Sequence, residues 1–207
     1  MRSGGLQQKA AWIVGCGRSR AYMLLCIGAS VGSGRLKVFP GQIMYAIRRF
    51  EPVMKAHDGD NPMRATVLLV NEEPEFLDTL SRFLDGLGFQ VATAGSGHEA
   101  FKRVQKEEFD VVVLDLLMRV SDPVGLLRQI KNLLPLTEVI LMVNKETIPA
   151  AANGMRLGAF DYVLTSEVWT ELPYKILMGK TRKTLQEDKI RLTEESLAEE
   201  AALRDAW

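Results

Sequence analysis

Cysteine, histidine and long apolar runs are all scarce in this chain of 207 residues. The two cysteines, Cys16 and Cys26, lie near its start. From residue 64 onward there is none, so that part has no disulfide framework and no thiolate metal cluster. This fits a reducing, cytoplasmic setting. Only one histidine, His98, falls in the same part. It sits in a helical pattern and reads as an exposed residue. With no cysteine and no second histidine near it, a His/Cys metal site is not expected there, and no catalytic triad is legible. The longest apolar stretch, AYMLLCIGASVG at 21–32, falls far short of the ~20 residues of a membrane-spanning helix. Glycine-rich phosphate loops are missing too. GASVGSG at 28–34 has no Lys-Ser/Thr ending, and GCGRSR at 15–20 has no third glycine of a dinucleotide fingerprint.

Charge is balanced overall but not along the chain. Residues 1–63 carry nine Lys/Arg and three Asp/Glu, a net +6. Residues 64–207 carry seventeen and twenty-three, a net −6. Free nucleic-acid binding needs a basic footprint, so the second part is not expected to show it. The composition, 47% apolar and 25% charged, is that of ordinary globular material.

From residue 65 a regular alternation begins. ATVLLV (65–70), FQVATA (89–94), FDVVVLD (109–115), TEVILMV (137–143) and FDYVLT (160–165) read as strands. Between them lie helical patterns. In PEFLDTLSRFLDGLG (74–88), Pro74 suits a first turn and Gly86 or Gly88 a C-terminal cap. In SGHEAFKRVQKEE (96–108), Ser96 and Glu99 form a capping box. PVGLLRQIKNLL (123–134) has Asp122 as its N-cap, and IPAAANGMRLGA (148–159) has Gly158 near its end. A long helical pattern then runs from Glu167. The strands are apolar runs rather than alternating ones, as in a parallel sheet covered on both faces. Right-handed crossovers make this a doubly wound α/β sheet. Such sheets place chemistry beyond the carboxyl ends of their strands. Asp115 ends the third strand and so belongs to that crevice.

Residues 1–62 differ: basic, glycine-rich and helical only in short pieces such as QIMYAIRRF (42–50). If the source is bacterial, GDNPM (59–63) can be encoded with a GGAG shortly before an ATG. Met63 is then the expected start, and 1–62 a translated leader. An N-terminal mass from the native host tests this.

Residues 63–178 resemble the receiver domain of two-component response regulators. VLLVNEEPEFLDTL (67–80) is similar to that family's first strand and acidic turn. FDVVVLDLLMRVSD (109–122) is similar to its phosphoacceptor strand, with Asp115 as acceptor and Met118 three residues on. GLLRQIK (125–131) continues the next helix, and AAANGMRLGAFDY (150–162) resembles the fourth helix and the start of the fifth strand. The resemblance implies a flavodoxin-like five-stranded parallel sheet of order 2-1-3-4-5, here with an extended C-terminal helix. It also implies phosphorelay signalling. A histidine kinase or phosphotransfer protein passes a phosphoryl group to Asp115, and a downstream protein partner reads the result.

The resemblance fails at most of the family's site positions. Asn71-Glu72 stands in place of two aspartates, Val143 in place of a hydroxyl residue, and Thr165 in place of the lysine. Ser166 and Arg119 replace prolines. Glu72 and Asp115 remain as metal ligands, so Mg²⁺ binding is expected to be weak or absent. Lys145 reads as a solvated lysine. Tyr162 is either a two-position switch or a half-buried aromatic.

The last stretch, 179–207, is rich in helix formers. Leu185 and Leu192 are seven apart, as are Ile190 and Leu197, but Glu199 and Arg204 fall at the next positions. It reads as a solvated helical tail, with a docking or dimerisation helix as the alternative. No DNA-binding or enzymatic output domain is legible in it.

Three functions follow. The first is a non-enzymatic response regulator phosphorylated on Asp115. The second is a phosphorylation-independent pseudo-receiver that binds proteins. The third is a cofactor-binding or enzymatic domain on the same sheet, disfavoured by the missing phosphate loops and catalytic clusters.

Overall fold

A computed structural model describes residues 65–119 and 122–205. The expectations for 1–62, the start at Met63 included, lie outside the described residues. The elements alternate in chain order: β1 (Thr66–Val70), α1 (Pro74–Gly86), β2 (Gln90–Ala94), α2 (Gly97–Val104), β3 (Val111–Asp115), α3 (Pro123–Leu133), β4 (Glu138–Val143), α4 (Ile148–Arg156), β5 (Asp161–Leu164) and α5 (Val168–Asp205). All strand pairs are parallel, and the order is β2-β1-β3-β4-β5. This is the doubly wound sheet expected from the sequence.

β3 and β4 are buried along their whole length, which is why residues 111–114 and 139–143 are unbroken apolar runs. One face of the sheet packs Leu68, Val112, Leu114, Leu141 and Val143 against residues of α2, α3 and α4. On the other face α1 meets α5, where Trp169 sits edge-on to Phe76 at 6.3 Å and to Phe83 at 5.3 Å.

The local signals act where the sequence places them, with one shift. Asp122 Oδ1 accepts from the Gly125 amide at 2.9 Å and caps α3. Ser96 Oγ accepts from the Glu99 amide at 3.2 Å. Glu99, however, reaches back to the Gly95 amide rather than to that of Ser96, so the box is one residue wider. Gly88 and Gly158 hold φ of 99° and 96°, the left-handed turns that release the chain from α1 and α4.

The amino-terminal edge of the sheet is charged. Asp110, just before β3, is 6% exposed. Its Oδ2 accepts from the Thr66 amide at 2.8 Å and the Thr66 hydroxyl at 3.1 Å. Its Oδ1 accepts from Lys180 Nζ at 3.0 Å, and Lys183 Nζ lies at 3.5 Å. Lys183 also donates to the Phe109 carbonyl. Burial pushes the Asp110 carboxyl up, but the Thr66 amide and the two ammonium groups outweigh it, and the net direction is down. Neighbouring Glu138, 2% exposed, faces Arg182 at 3.3 Å and Lys131 at 3.8 Å. Here burial wins, and the Glu138 carboxyl is raised despite both cations. Helix α5 is thus clasped to the sheet by three of its own cations. Lys183 is its last buried residue, and the helix continues unbroken to Asp205.

Candidate functional site

The carboxyl ends of the strands bring Asn71, Glu72 and Asp115 together. Asp115 is the last residue of β3 and pairs across to Met142. It is 8% exposed. Asn71 follows β1, and its backbone amide donates to the Ala94 carbonyl. The Asn71 side chain is fixed at both ends. Its Oδ1 accepts from the Glu73 amide at 2.6 Å, so its Nδ2 must face the other way. That nitrogen donates to Asp115 Oδ2 at 2.7 Å. Asp115 Oδ1 accepts from the Leu117 amide at 2.9 Å. Both Asp115 oxygens therefore hold a neutral donor. The pairing that the buried carboxylate needs comes from an amide, not from a cation.

Burial is the main force raising the Asp115 carboxyl above its ordinary range. The Leu117 amide opposes it, and the Glu72 and Glu73 carboxylates push it further up. Glu72 Oε2 accepts from the Arg119 amide at 2.9 Å. That bond ties the loop after β1 to the loop after β3.

The remaining predicted positions do not converge on Asp115 with polar groups. Val143 is fully buried among the apolar side chains facing α2–α4. Thr165 donates both its amide, at 2.8 Å, and its hydroxyl, at 3.0 Å, to the Val143 carbonyl. The two substituted positions are thus bonded to each other. Tyr162 is 40% exposed on β5, with Lys175 Nζ 5.9 Å from its ring centre. Lys145 is exposed in the loop after β4. His98 is exposed on α2, as the sequence suggested.

A divalent cation fits this arrangement poorly. Mg²⁺ demands near-octahedral oxygen ligands. A cation between Asn71 and Asp115 would meet amide hydrogens. The Glu72 oxygen and both Asp115 oxygens already accept backbone or side-chain N–H groups. Among the described residues no cluster of three or more His, Cys, Asp or Glu is placed to hold a metal.

The sequence marked Asn71, Glu72 and Asp115, which the fold brings together, but not the backbone donors, Leu117 and Arg119, which no side-chain pattern marks. Asp110 and Glu138 went unmarked too. The signal was available, because each is a lone carboxylate bordering an apolar run, as Asp115 is. Among the described residues no helix is long and apolar enough to cross a membrane.

Known proteins share this arrangement of strands. A receiver-domain crystal structure from Clostridium thermocellum superposes with a TM-score of 0.56 at 27% identity, covering 59% of this chain and 98% of that one. A putative response regulator from Chloroflexus aurantiacus superposes with a TM-score of 0.51, also at 27% identity, covering 55% of this chain and 98% of that one. The transcriptional regulatory protein ZraR of Salmonella typhimurium is 32% identical over 98 residues, which is 47% of this chain and 22% of ZraR. A putative NtrX-like response regulator of Rickettsia bellii is 31% identical over 99 residues, 47% of this chain and 21% of that protein. The chain thus spans about a fifth of the length of these curated relatives. Residues 67–172 match the response regulator receiver domain, and with the sheet order and the acidic crevice on the same residues, the chain belongs to the response regulator receiver family of two-component signalling.

Proposed function

We propose that this receiver domain works as a pseudo-receiver, signalling through protein–protein contacts with its Asp115 end held in one arrangement by Asn71 rather than switched by phosphoryl transfer. The observation that carries this is the 2.7 Å bond from Asn71 Nδ2 to Asp115 Oδ2, with Leu117 holding the other oxygen. Each Asp115 oxygen keeps a lone pair, so what the site lacks for accepting a phosphoryl group is a cation to meet the charge that arrives with it. A phosphoryl group brings about −1.5 to −2 charge. The neighbours it would meet are the carboxylates of Glu72 and Glu73, which already raise the Asp115 carboxyl. Val143 has no hydroxyl to offer, and the Thr165 hydroxyl is spent on the Val143 carbonyl.

Receiver domains of this family work with histidine kinases or phosphotransfer proteins. For this chain a docking protein of that kind and a downstream protein partner are the proposed contacts. No enzymatic activity, nucleic-acid contact or membrane contact is part of the proposal, and the setting is cytoplasmic. The net −6 of residues 64–207 supports a protein partner over a nucleic acid.

A second reading is that Asp115 accepts a phosphoryl group. One observation favours it: Asp115 still ends β3, with the carboxylate of Glu72 beside it.

Intact-mass spectrometry after incubation with acetyl phosphate and Mg²⁺, beside Asp115→Asn, separates the two. The pseudo-receiver predicts no phosphate-sized mass gain in either protein. A labile gain in the parent that is absent from Asp115→Asn establishes the second reading instead.

A further inference from the structure

The part of α5 beyond the sheet carries five large apolar side chains that the domain does not cover. Leu185, Leu192, Leu197 and Leu203 are each at least 60% exposed, and Ile190 is 46% exposed. In proteins most helical stability comes from packing an apolar face. The exposed residues are not scattered evenly. Leu185 and Leu203 are eighteen residues apart, which is five whole turns at about 3.6 residues each, so they share one line along the helix. Leu192 and Ser196 fall within about 20° of that line. Leu185, Leu192 and Ser196 border a shallow groove together with Asp188, Lys189, Thr193 and Leu197. Ile190 lies on another face, about 140° away, and is not part of that groove.

Charge is polarised along the same segment. From 179 to 191 there are five basic and two acidic residues, a net +3. From 192 to 205 there are one basic and five acidic residues, a net −4. A parallel pair of such helices sets like charge on like charge. An antiparallel pair sets each half against its opposite and also opposes the two helix dipoles.

We infer that a second copy of this chain covers the Leu185–Leu203 line, the two overhanging helices lying antiparallel. A two-fold axis near Glu194 places Leu185 against Leu203 of the second copy. It places Leu192 against the small Ser196, which lets the helices approach. Lys189 then comes level with Glu200, and Arg191 with Glu195. Asp188 meets like charge in Glu199, and Glu195 meets its own copy beside the axis; Asp188 is already paired with Arg191 at 2.9 Å. In the same register Asp205 comes level with Lys183, the last buried residue of α5. The overlap therefore ends where α5 leaves the sheet.

Sedimentation equilibrium of the full chain from ~1 to ~200 µM tests this, with a two-chain mass expected towards the upper end. Leu185→Glu with Leu203→Glu raises the dissociation constant at least about tenfold, whereas Ile190→Glu, on the other face, leaves it unchanged. At ~1 µM, below the dissociation constant, the thermal transition of the sheet stays the same in all three, which shows that each is folded. Orientation is read in a Cys16→Ser, Cys26→Ser background by mixing Leu185→Cys chains with Leu203→Cys chains and adding a short bis-maleimide. Cross-links form between the two kinds and not within either. A single-chain mass throughout, equal damage from Ile190→Glu, or self-linking of Leu185→Cys chains overturns the inference.

Discussion

Strand β3 is bordered by two aspartates of opposite character. Asp110 at its start faces Lys180 at 3.0 Å and Lys183 at 3.5 Å, and its carboxyl is held below the ordinary range. Asp115 at its end faces an amide nitrogen and two further carboxylates, and its carboxyl is raised. Both are nearly inaccessible to solvent. Burial acts on the two in the same direction, so the difference comes from their neighbours. One end of the sheet is electrostatically settled and the other is under tension. Surplus negative charge at a strand end is a disposition for binding, whereas a closed charge cluster is a disposition for holding a helix in place.

The largest test of this contrast is Asp110→Ala. It leaves the 7% exposed Lys183 without its main countercharge. Removing one member of a buried pair costs about 3–5 kcal/mol. With Lys180 a third exposed, a loss of about 2–4 kcal/mol is expected in a urea melt. Asp115→Ala in the same assay loses no more than about 1–2 kcal/mol, because the carboxylate it removes is itself strained by burial and its neighbours.

Asn71→Asp sharpens the contrast from the other side. It replaces the 2.7 Å amide bond with two facing carboxylates. A loss of about 1–3 kcal/mol at pH 7 is expected. Millimolar Mg²⁺ then restores part of it by binding the folded state, and has no such effect on the parent. A thermal melt with and without the metal reads both.

The two aspartates also tilt the pH dependence in opposite directions. A lowered folded pKa means that the Asp110 contribution is complete above its ordinary value of 3.8 and is lost as pH falls through the folded value. A raised folded pKa means that Asp115 favours the folded state while protonated, and that this margin is lost as pH rises from 3.8 through the folded value. In urea melts from about pH 2.5 to 7, the penalty of Asp110→Asn shrinks towards acid. Asp115→Asn gains on the parent as pH rises past about 4. Equal slopes would erase the distinction between the two ends.

The smallest effect belongs to the hydroxyls. Thr165→Val removes one of two bonds to the Val143 carbonyl and costs about 0.5–1 kcal/mol. Thr66→Val removes a bond to a buried carboxylate and an acceptor of the Asp110 amide, and costs about 1–2 kcal/mol. The ordering of the two is the check.

How legible was this molecule? The strands were, because a parallel sheet buried on both faces writes itself as apolar runs. Val111 to Leu114 could belong to little else. The caps at Asp122 and Ser96 were legible because they act over three residues. The substitutions at Asn71, Val143 and Thr165 were legible as departures from a pattern. What they do instead was not. The Asn71–Asp115 bond joins residues 44 positions apart, and the direction of the Asn71 amide is set by a backbone group. The clasp on Asp110 draws on α5, 70 positions downstream. Local spacing carries no trace of such pairs. The length of α5 was readable from its composition, since Ala, Leu, Glu, Lys and Arg persist past the sheet. Its polarity came from counting charge in halves rather than from any motif.

That clasp bears on how the chain is made. During synthesis β3 leaves the ribosome long before Lys180 and Lys183 do. Until they arrive, Asp110 and Glu138 have only part of their countercharge, and the face that α5 will cover stands open around Trp169's empty place beside Phe76 and Phe83. The sheet has its strands but not its latch. A nascent chain whose α5 has not yet emerged would be a good chaperone client, and the same chain with α5 docked would not. The last helix is the step that commits the domain to its shape.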